Sequence, residues 1–273
     1  MLRQKTNWTV TTLIALGSLF ILFPLYITVS IALKSPSELA DSVLSLPTRL
    51  HFENFTRAIE ATNFFSAFKN SAIITVVTVV FTILTNSMVA YAIARNLHRK
   101  FFKGLYYYFV SAMFIPFPII MLPLVKQTSA LGMDNQGGLI FLYIVYGAAL
   151  NIFIYTGYIR SIPKELEEAA IVDGCSTWGV FWKVIFPLLT PINATVGILT
   201  CLWAWNDFML PLIILNDPSD ATLPLAQYIF QSQFGTDFNL AFASYLLALS
   251  PMVIVYIFAQ KWIIGGVVKG AIK

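Results

Sequence analysis

The stretch Ile162–Pro191, IPKELEEAAIVDGCSTWGVFWKVIFPLLTP, is a polar, partly acidic island between two long apolar runs, Leu139 to Ile159 and Ile192 to Leu215. Pro163 suits a first helical position. Glu165, Glu167 and Glu168 follow in the opening turns, where carboxylates meet the positive end of the helix dipole. Gly174 ends this helix, and Ser176 or Thr177 can cap a second one, whose body is Trp178, Phe181, Trp182, Ile185 and Phe186, stopped by Pro187. Two short helices joined at a glycine make a knob and not a membrane crossing. Ala169 and Ala170 let another protein's surface approach closely, while Glu168 and Asp173 offer charge to an Arg or Lys on it. The same pattern also describes an amphipathic helix lying in a membrane interface.

The apolar runs on either side of the island are two of six, the others being Val10 to Leu33, Ala72 to Ala94, Leu105 to Val125 and Leu240 to Ile264. Crossing the hydrocarbon core takes about 20 residues at 1.5 Å each, and every run is long enough. Composition agrees: 58% of the residues are hydrophobic and 11% charged, against roughly 25% charged in a soluble domain. That is too little charge to clothe a surface in water. The first run follows Arg3 and Lys5 as a signal peptide would, but it exceeds the roughly 7 to 15 apolar residues of such a segment and lacks a small-residue cleavage site. It is therefore read as an uncleaved span. The chain is expected to be an all-α membrane protein, a single domain over 1–273, with six transmembrane helices at 10–33, 72–94, 105–125, 139–159, 192–215 and 240–264 and a loop at 160–191.

Lys and Arg sort unevenly between the two sides. Twelve (Arg3, Lys5, Arg95, Arg99, Lys100, Lys103, Arg160, Lys164, Lys183, Lys261, Lys269, Lys273) fall on one side and five (Lys34, Arg49, Arg57, Lys69, Lys126) on the other. The richer side is cytoplasmic by the positive-inside rule, which puts both termini and the island inside. The loop from Asn216 to Asn239, with Asp217, Asp220 and Asp237 and no Lys or Arg, then lies outside. A net charge of +4 distributed in this way reflects membrane orientation and implies no nucleic-acid partner.

Pro24, Pro116, Pro118, Pro123, Pro211 and Pro251 fall inside expected spans. Each removes an N–H and crowds the preceding turn, although proline is also commoner in membrane helices than in soluble ones. The crowding of Pro116, Pro118 and Pro123 predicts that the third span departs from a straight rod.

Metal and enzyme chemistry find little to work with. Cys175 and Cys201 have neither a C-x-x-C spacing nor a nearby His, and His51 and His98 are expected on opposite sides of the membrane. There is no G-x-x-x-x-G-K-[ST] phosphate loop, so no ATP hydrolysis is expected of this chain. An ion-coupled secondary transporter is the alternative class. Against it, Asp207 is the sole acid within an expected span and no inverted repeat is visible.

Glu168, Ala169, Ala170, Asp173, Gly174, Phe181, Val184 and Pro187 resemble the EAA loop of ABC importer permeases, in which a Gly is followed at fixed spacing by Ile-x-Leu-Pro. Cys175, Val184 and Phe186 depart conservatively from the usual Ala, Ile and Leu. The resemblance covers nearly the whole chain and points to the carbohydrate branch, the shorter permease of maltose-type and multiple-sugar systems. Asn70 and Ser71, Ala90-Tyr91-Ala92 with Arg95, Pro116 with Pro123, Leu131-Gly132 with Asn135 and Gly138, and Trp205-Asn206-Asp207-Phe208 with Pro211-Leu212 follow in family order. The ending Gly270-Ala271-Ile272-Lys273 is similar to the family's Gly-Ala-Val-Lys, lacking its final Gly.

The resemblance implies that 160–191 is a cytoplasmic coupling-helix loop through which ATPase subunits drive import. Its contacts would be Glu168, Ala169, Ala170, Asp173, Gly174, Phe181 and Pro187, with Gly266, Lys269 and Gly270 of the tail reaching the ATPases as well. Implied partners are a second, homologous permease, two ATP-binding subunits carrying the ATP and Mg, an extracellular solute-binding protein, a carbohydrate substrate and membrane lipid. The chain itself is expected to hold no cofactor. Asn206 and Asp207 lie near the middle of the fifth span, where a carboxylate costs about 2.5 to 3.5 kcal/mol to insert. They are read either as a hydroxyl-binding or gating group in the substrate pathway or as a helix-to-helix hydrogen bond fixing the permease pair.

Overall fold

The computed structural model describes residues 8–232 and 235–271, with side chains over 8–230, 237–258 and at 260. The helices are α1 (Trp8–Ala32), α2 (Pro36–Asp41), α3 (Glu53–Ala61), α4 (Phe64–Asn96), α5 (Lys100–Ala112), α6 (Phe117–Ala130), α7 (Gln136–Ile159), α8 (Glu165–Val172), α9 (Thr177–Val180), α10 (Phe186–Leu188), α11 (Thr190–Asn206), α12 (Met209–Ile214), α13 (Leu223–Ala226) and α14 (Phe238–Ala271). A two-residue antiparallel pairing, Gln231–Ser232 with Gly235–Thr236, is the exception to a helical chain among the described residues. Among the described residues, four helices are long and apolar enough to cross a membrane, and up to six crossings result if each of two bent helix pairs counts as one. The contacts form two compact units, 1–65 with 226–251 and 66–225 with 252–273.

In the first unit, the end of α1 is closed by side chains from distant segments. Asn54 Nδ2 donates to the carbonyls of Ala32 and Lys34, both at 2.9 Å, and Asn239 Nδ2 donates to those of Ile31 at 3.0 Å and Lys34 at 2.8 Å. These bonds satisfy carbonyls that a helix end leaves without partners. Lys34, counted in the sequence only as one of five cations on the charge-poor side, is wholly buried. Its Nζ donates to the Ser42 carbonyl (2.7 Å), the Val43 carbonyl (3.2 Å) and Ser45 Oγ (3.1 Å), so oxygen dipoles stand in for water. Ser35 and Glu38 form a capping box on α2. Hydrogen bonds from the Thr48 hydroxyl and from the backbone N–H groups of Ser35 and Thr48 hold the Glu38 carboxyl down to about 2.

In the second unit, the helix ends sort into two groups. At one end, Asn70 Nδ2 donates to the Ser219 and Ala221 carbonyls, Gln136 Nε2 to Asp220 and Asn216 Nδ2 to Asp134. The opposite end gathers the last turns of α4 and α7 with α8, α9 and α10 around a core of Ala90, Ile93, Ile159, Phe181 and Ile185. This is the alternation expected of helices that run back and forth. Between α6 and α7, the chain turns at Gly132, whose φ of +64° favours glycine. Asn135 caps α7 by accepting from the Gly138 N–H at 3.1 Å, and a Cβ at Gly138 would overlap the Met133 carbonyl.

Two expected spans are not single rods. The third, placed at 105–125, consists of α5 and α6, bent by 104° across Met113–Pro116. Pro116 takes the N-cap of α6 with an extended ψ of 133°, and the Pro118 ring cannot continue a helix backwards. The departure expected from the prolines is thus present, and larger than a kink. The fifth, placed at 192–215, is α11 followed by α12, interrupted at Asp207, whose ψ of 131° is extended. Pro211 explains the break: it would crowd the carbonyl of residue 207 in a continuous helix, and in α12 it sits in the opening turn.

Candidate functional site

The knob is built by local chemistry and held by remote partners. The helix proper begins at Glu165, with Lys164 already in the helical region, so Pro163 precedes the first turn instead of occupying it. At the other end, Gly174 has φ +85°, its N–H donates to the Ile171 carbonyl at 3.0 Å, and the Cys175 N–H donates to the Ala170 carbonyl at 2.9 Å. This is a Schellman motif, which needs a left-handed residue where Gly174 stands. Of the two possible caps for α9, Ser176 is used, its Oγ accepting from the Gly179 N–H at 3.2 Å. Pro187 does not stop the helix. The chain widens into a π turn over Phe181–Ile185, passes through Pro187 into α10, and turns at Leu189, bent by 75° from α11. A π turn shifts the carbonyl that the proline ring would strike and removes the demand for its missing N–H.

Packing divides the expected contact residues between two faces. Glu168, Ala169, Asp173, Gly174 and Pro187 are exposed, whereas Ala170 and Phe181 are buried in the core shared with α4 and α7. The pair Ala169 and Ala170, expected side by side on one docking surface, is divided between the exposed and the buried side, because successive helical residues lie about 100° apart. Phe181 is an internal anchor, its ring 5.3 Å from Tyr91 and 4.9 Å from Trp182. The exposed face gains two apolar side chains, Val172 at 86% exposure, which the sequence reading left aside, and Trp178 at 67%, which it assigned to the body of the second helix.

A further group was missed in the sequence because its members are far apart. Arg95, in the last turn of α4, donates through Nε to Glu167 Oε1 at 2.6 Å and through Nη2 to the Ile162 carbonyl at 3.1 Å. Tyr91 Oη donates to the other carboxylate oxygen at 2.6 Å. Glu167 is therefore no dipole-facing surface acid. It is the clasp that ties the knob to the longest helix of this unit. The available signal was Tyr91 and Arg95 four residues apart on one helix face, both in the family pattern.

At the break in the fifth span, Asp207 Oδ1 accepts from the Met209 N–H at 3.2 Å, and Oδ2 accepts from the Leu210 N–H at 3.3 Å and from Tyr143 Oη at 2.9 Å. The carboxylate caps α12 and ties it to α7 within the same chain, so the helix-to-helix bond expected of it is intramolecular. Asn206 is exposed, its Nδ2 donating back to the Leu202 carbonyl at 2.7 Å. Gly266, Lys269 and Gly270 lie where the side chains are outside the described residues. No group of three or more His, Cys, Asp or Glu able to hold a metal occurs among the described residues.

The binding-protein-dependent transport system inner membrane component family matches residues 86–269. The multiple sugar-binding transport system permease protein of Streptococcus mutans is 40% identical over 96% of this chain and 95% of its own length. The chain belongs to this family. It is a permease component and not an enzyme, a multi-pass membrane protein, and the secondary-transporter alternative is set aside. A permease for starch degradation products from Thermoanaerobacterium thermosulfurigenes is 38% identical over 94% of this chain and 93% of its own length. The melibiose/raffinose/stachyose import permease of Bacillus subtilis is 34% identical, over 99% and 98%. The fold matches that of a chain in a bacterial ABC transporter importing the acidic polysaccharide alginate, with TM-score 0.79, 21% identity and coverage of 93% and 95%. The matched permease segment takes in the clasp, the knob and the break at Asp207.

Proposed function

We propose that this permease carries a sugar or short oligosaccharide across the cytoplasmic membrane, receiving it from an extracellular solute-binding protein. It pairs with a second, homologous permease and docks on two ATP-binding subunits that carry the ATP and Mg. The observation that carries the reading is the knob: an exposed face of Glu168, Ala169, Asp173 and Gly174 on a base clasped to α4 through Arg95 and Glu167. Such a base moves as one piece with the membrane helix, so a push on the knob reaches the crossing. Access to the substrate would then switch by a rigid-body change between two packed states. Names of the relatives, which include multiple-sugar and oligosaccharide systems, support the carbohydrate class. The test is to purify the permease with its co-expressed partners in vesicles and measure ATP hydrolysis with binding protein and a panel of melibiose, raffinose and maltotriose. At least one sugar is expected to raise hydrolysis and be taken up. Stimulation by none of them, with uptake of none, would refute the carbohydrate class.

We propose that the knob and both termini lie in the cytoplasm. The twelve-to-five charge split supports this, as does the sorting of helix ends, with Arg95, Lys164 and Lys183 at the end opposite Asp134 and Asp220. With Cys175 and Cys201 replaced by serine, Asp220→Cys is expected to react with an impermeant thiol reagent from outside intact cells and Arg99→Cys only after permeabilisation. The reverse pattern would invert the orientation.

A further inference from the structure

A cavity of about 490 Å³ lies among α5, α6, α7 and α11 in the second unit, beside the bend between α5 and α6. One wall is aromatic. The rings of Tyr146 and Trp203 stack with centroids 5.9 Å apart and planes 21° apart, and Trp203 is braced edge-on by Tyr143 at 5.0 Å. Tyr143 is in turn held by Asp207, which makes Asp207 a positioning residue for this wall. The cavity is also lined by Asn151 and Thr200, only 4% and 5% exposed, and neither side chain has a hydrogen-bond partner among the described residues. Gly147 makes room for the amide: a Cβ there would lie 3.2 Å from Asn151 Nδ2.

The Asn151 and Thr200 side chains line the cavity and are not among the polar atoms sealed away from it without a partner, so their hydrogen-bonding capacity is open to whatever fills the space. Two such groups beside one aromatic wall, in a space within the roughly 300 to 1,000 Å³ range of small-molecule sites, suit a ligand with an apolar face and a polar edge. An acyl chain would fill the space and leave the amide and hydroxyl unpaired. A pyranose ring satisfies both surfaces: its C–H face covers Tyr146 and Trp203, while its hydroxyls both donate to and accept from the Asn151 amide and bond the Thr200 hydroxyl. We infer that this cavity is a sugar subsite belonging to this permease itself, with Asn151 and Thr200 as its hydrogen-bonding groups and Trp203 as its stacking platform. The inference rests on the reading of the chain as a sugar permease and adds where the sugar is held.

The test uses the complete transporter and whichever of raffinose, melibiose or maltotriose the wild type takes up. Binding of that radiolabelled sugar is measured by equilibrium dialysis against the purified complex without binding protein, so that the binding protein's own affinity does not enter. Asn151→Leu and Thr200→Val match the originals in size and remove groups that have no partner within the chain, so neither is expected to lower the thermal unfolding temperature. Each is expected to weaken binding about tenfold, the equivalent of about 1.4 kcal/mol, and to slow uptake driven by the binding protein. Wild-type binding in both variants, with wild-type uptake intact, would overturn the subsite and leave the sugar-permease reading standing. Failure of the wild-type complex to take up any of the sugars would overturn that reading and the subsite together.

Discussion

Glu167→Ala is expected to cost the isolated permease about 3 to 5 kcal/mol of stability, the range for removing one partner of a buried ion pair. The Arg95 and Glu167 side chains are only 11% and 12% exposed. The truncation strands the Arg95 guanidinium in a nearly closed site and takes the acceptor from Tyr91 Oη as well. Removing both charges together is expected to be milder. In Arg95→Leu/Glu167→Leu, no uncompensated charge stays behind, and the apolar side chains extend a core that already holds Ile93, Ala94 and Ile162. The two variants separate stability from transmission. If the clasp couples the knob to α4, the double-leucine permease should fold and still hydrolyse ATP in the complex, yet take up less sugar per ATP hydrolysed. Thermal unfolding of the purified chain checks the first expectation and the uptake-to-hydrolysis ratio the second. A double-leucine complex with the wild-type ratio would reduce the clasp to a structural bond.

Gly174→Asp is expected to abolish transport while leaving the permease folded in the membrane. Inside the chain the substitution is cheap. A Cβ at Gly174 meets no atom within 4 Å, so the internal cost is the left-handed backbone at φ +85°, about 1 to 2 kcal/mol for a residue with a side chain. At docking it is expensive, because the new side chain intrudes where the ATPase surface approaches and its carboxylate would have to be desolvated beside exposed Asp173 and Glu168. Recovery of the ATPase subunits with the mutant permease, at matched membrane levels, is expected to fall at least tenfold. Gly174→Asn supplies the control: asparagine has nearly the same shape, tolerates the left-handed region and adds no charge, so it should retain more of the docking than aspartate. Equal recovery with all three residues, together with normal uptake, would remove the knob from consideration as the docking site.

Both predictions start from residues the sequence brings to notice, and the two differ in how much of their role is legible there. The Schellman turn at Gly174 and the Ser176 cap are decided within a few residues by backbone sterics and near-neighbour hydrogen bonds: the helix ends at Gly174 as local reasoning has it, and of the two caps that reasoning left open the structure uses Ser176. The six apolar runs and the polar island were equally legible, because hydrocarbon tolerates only long runs with their backbone bonds satisfied internally.

What the sequence alone determined is therefore a helical membrane chain with a polar knob and its internal turn, since each of these is settled by forces acting over a few residues or by the bilayer as a solvent. Only the tertiary structure decided that Ala170 and Phe181 face inward while Ala169 faces out, since that phase depends on which side of the knob finds α4 and α7. It also decided that Glu167 closes on Arg95 and Tyr91 and Asp207 on Tyr143, contacts between residues distant along the chain. The same holds for the α5–α6 bend: three prolines announce a departure from straightness, but its size of 104° is not written in them. Charge and size announce what a side chain is able to do, but its partner is chosen by the way the helices pack.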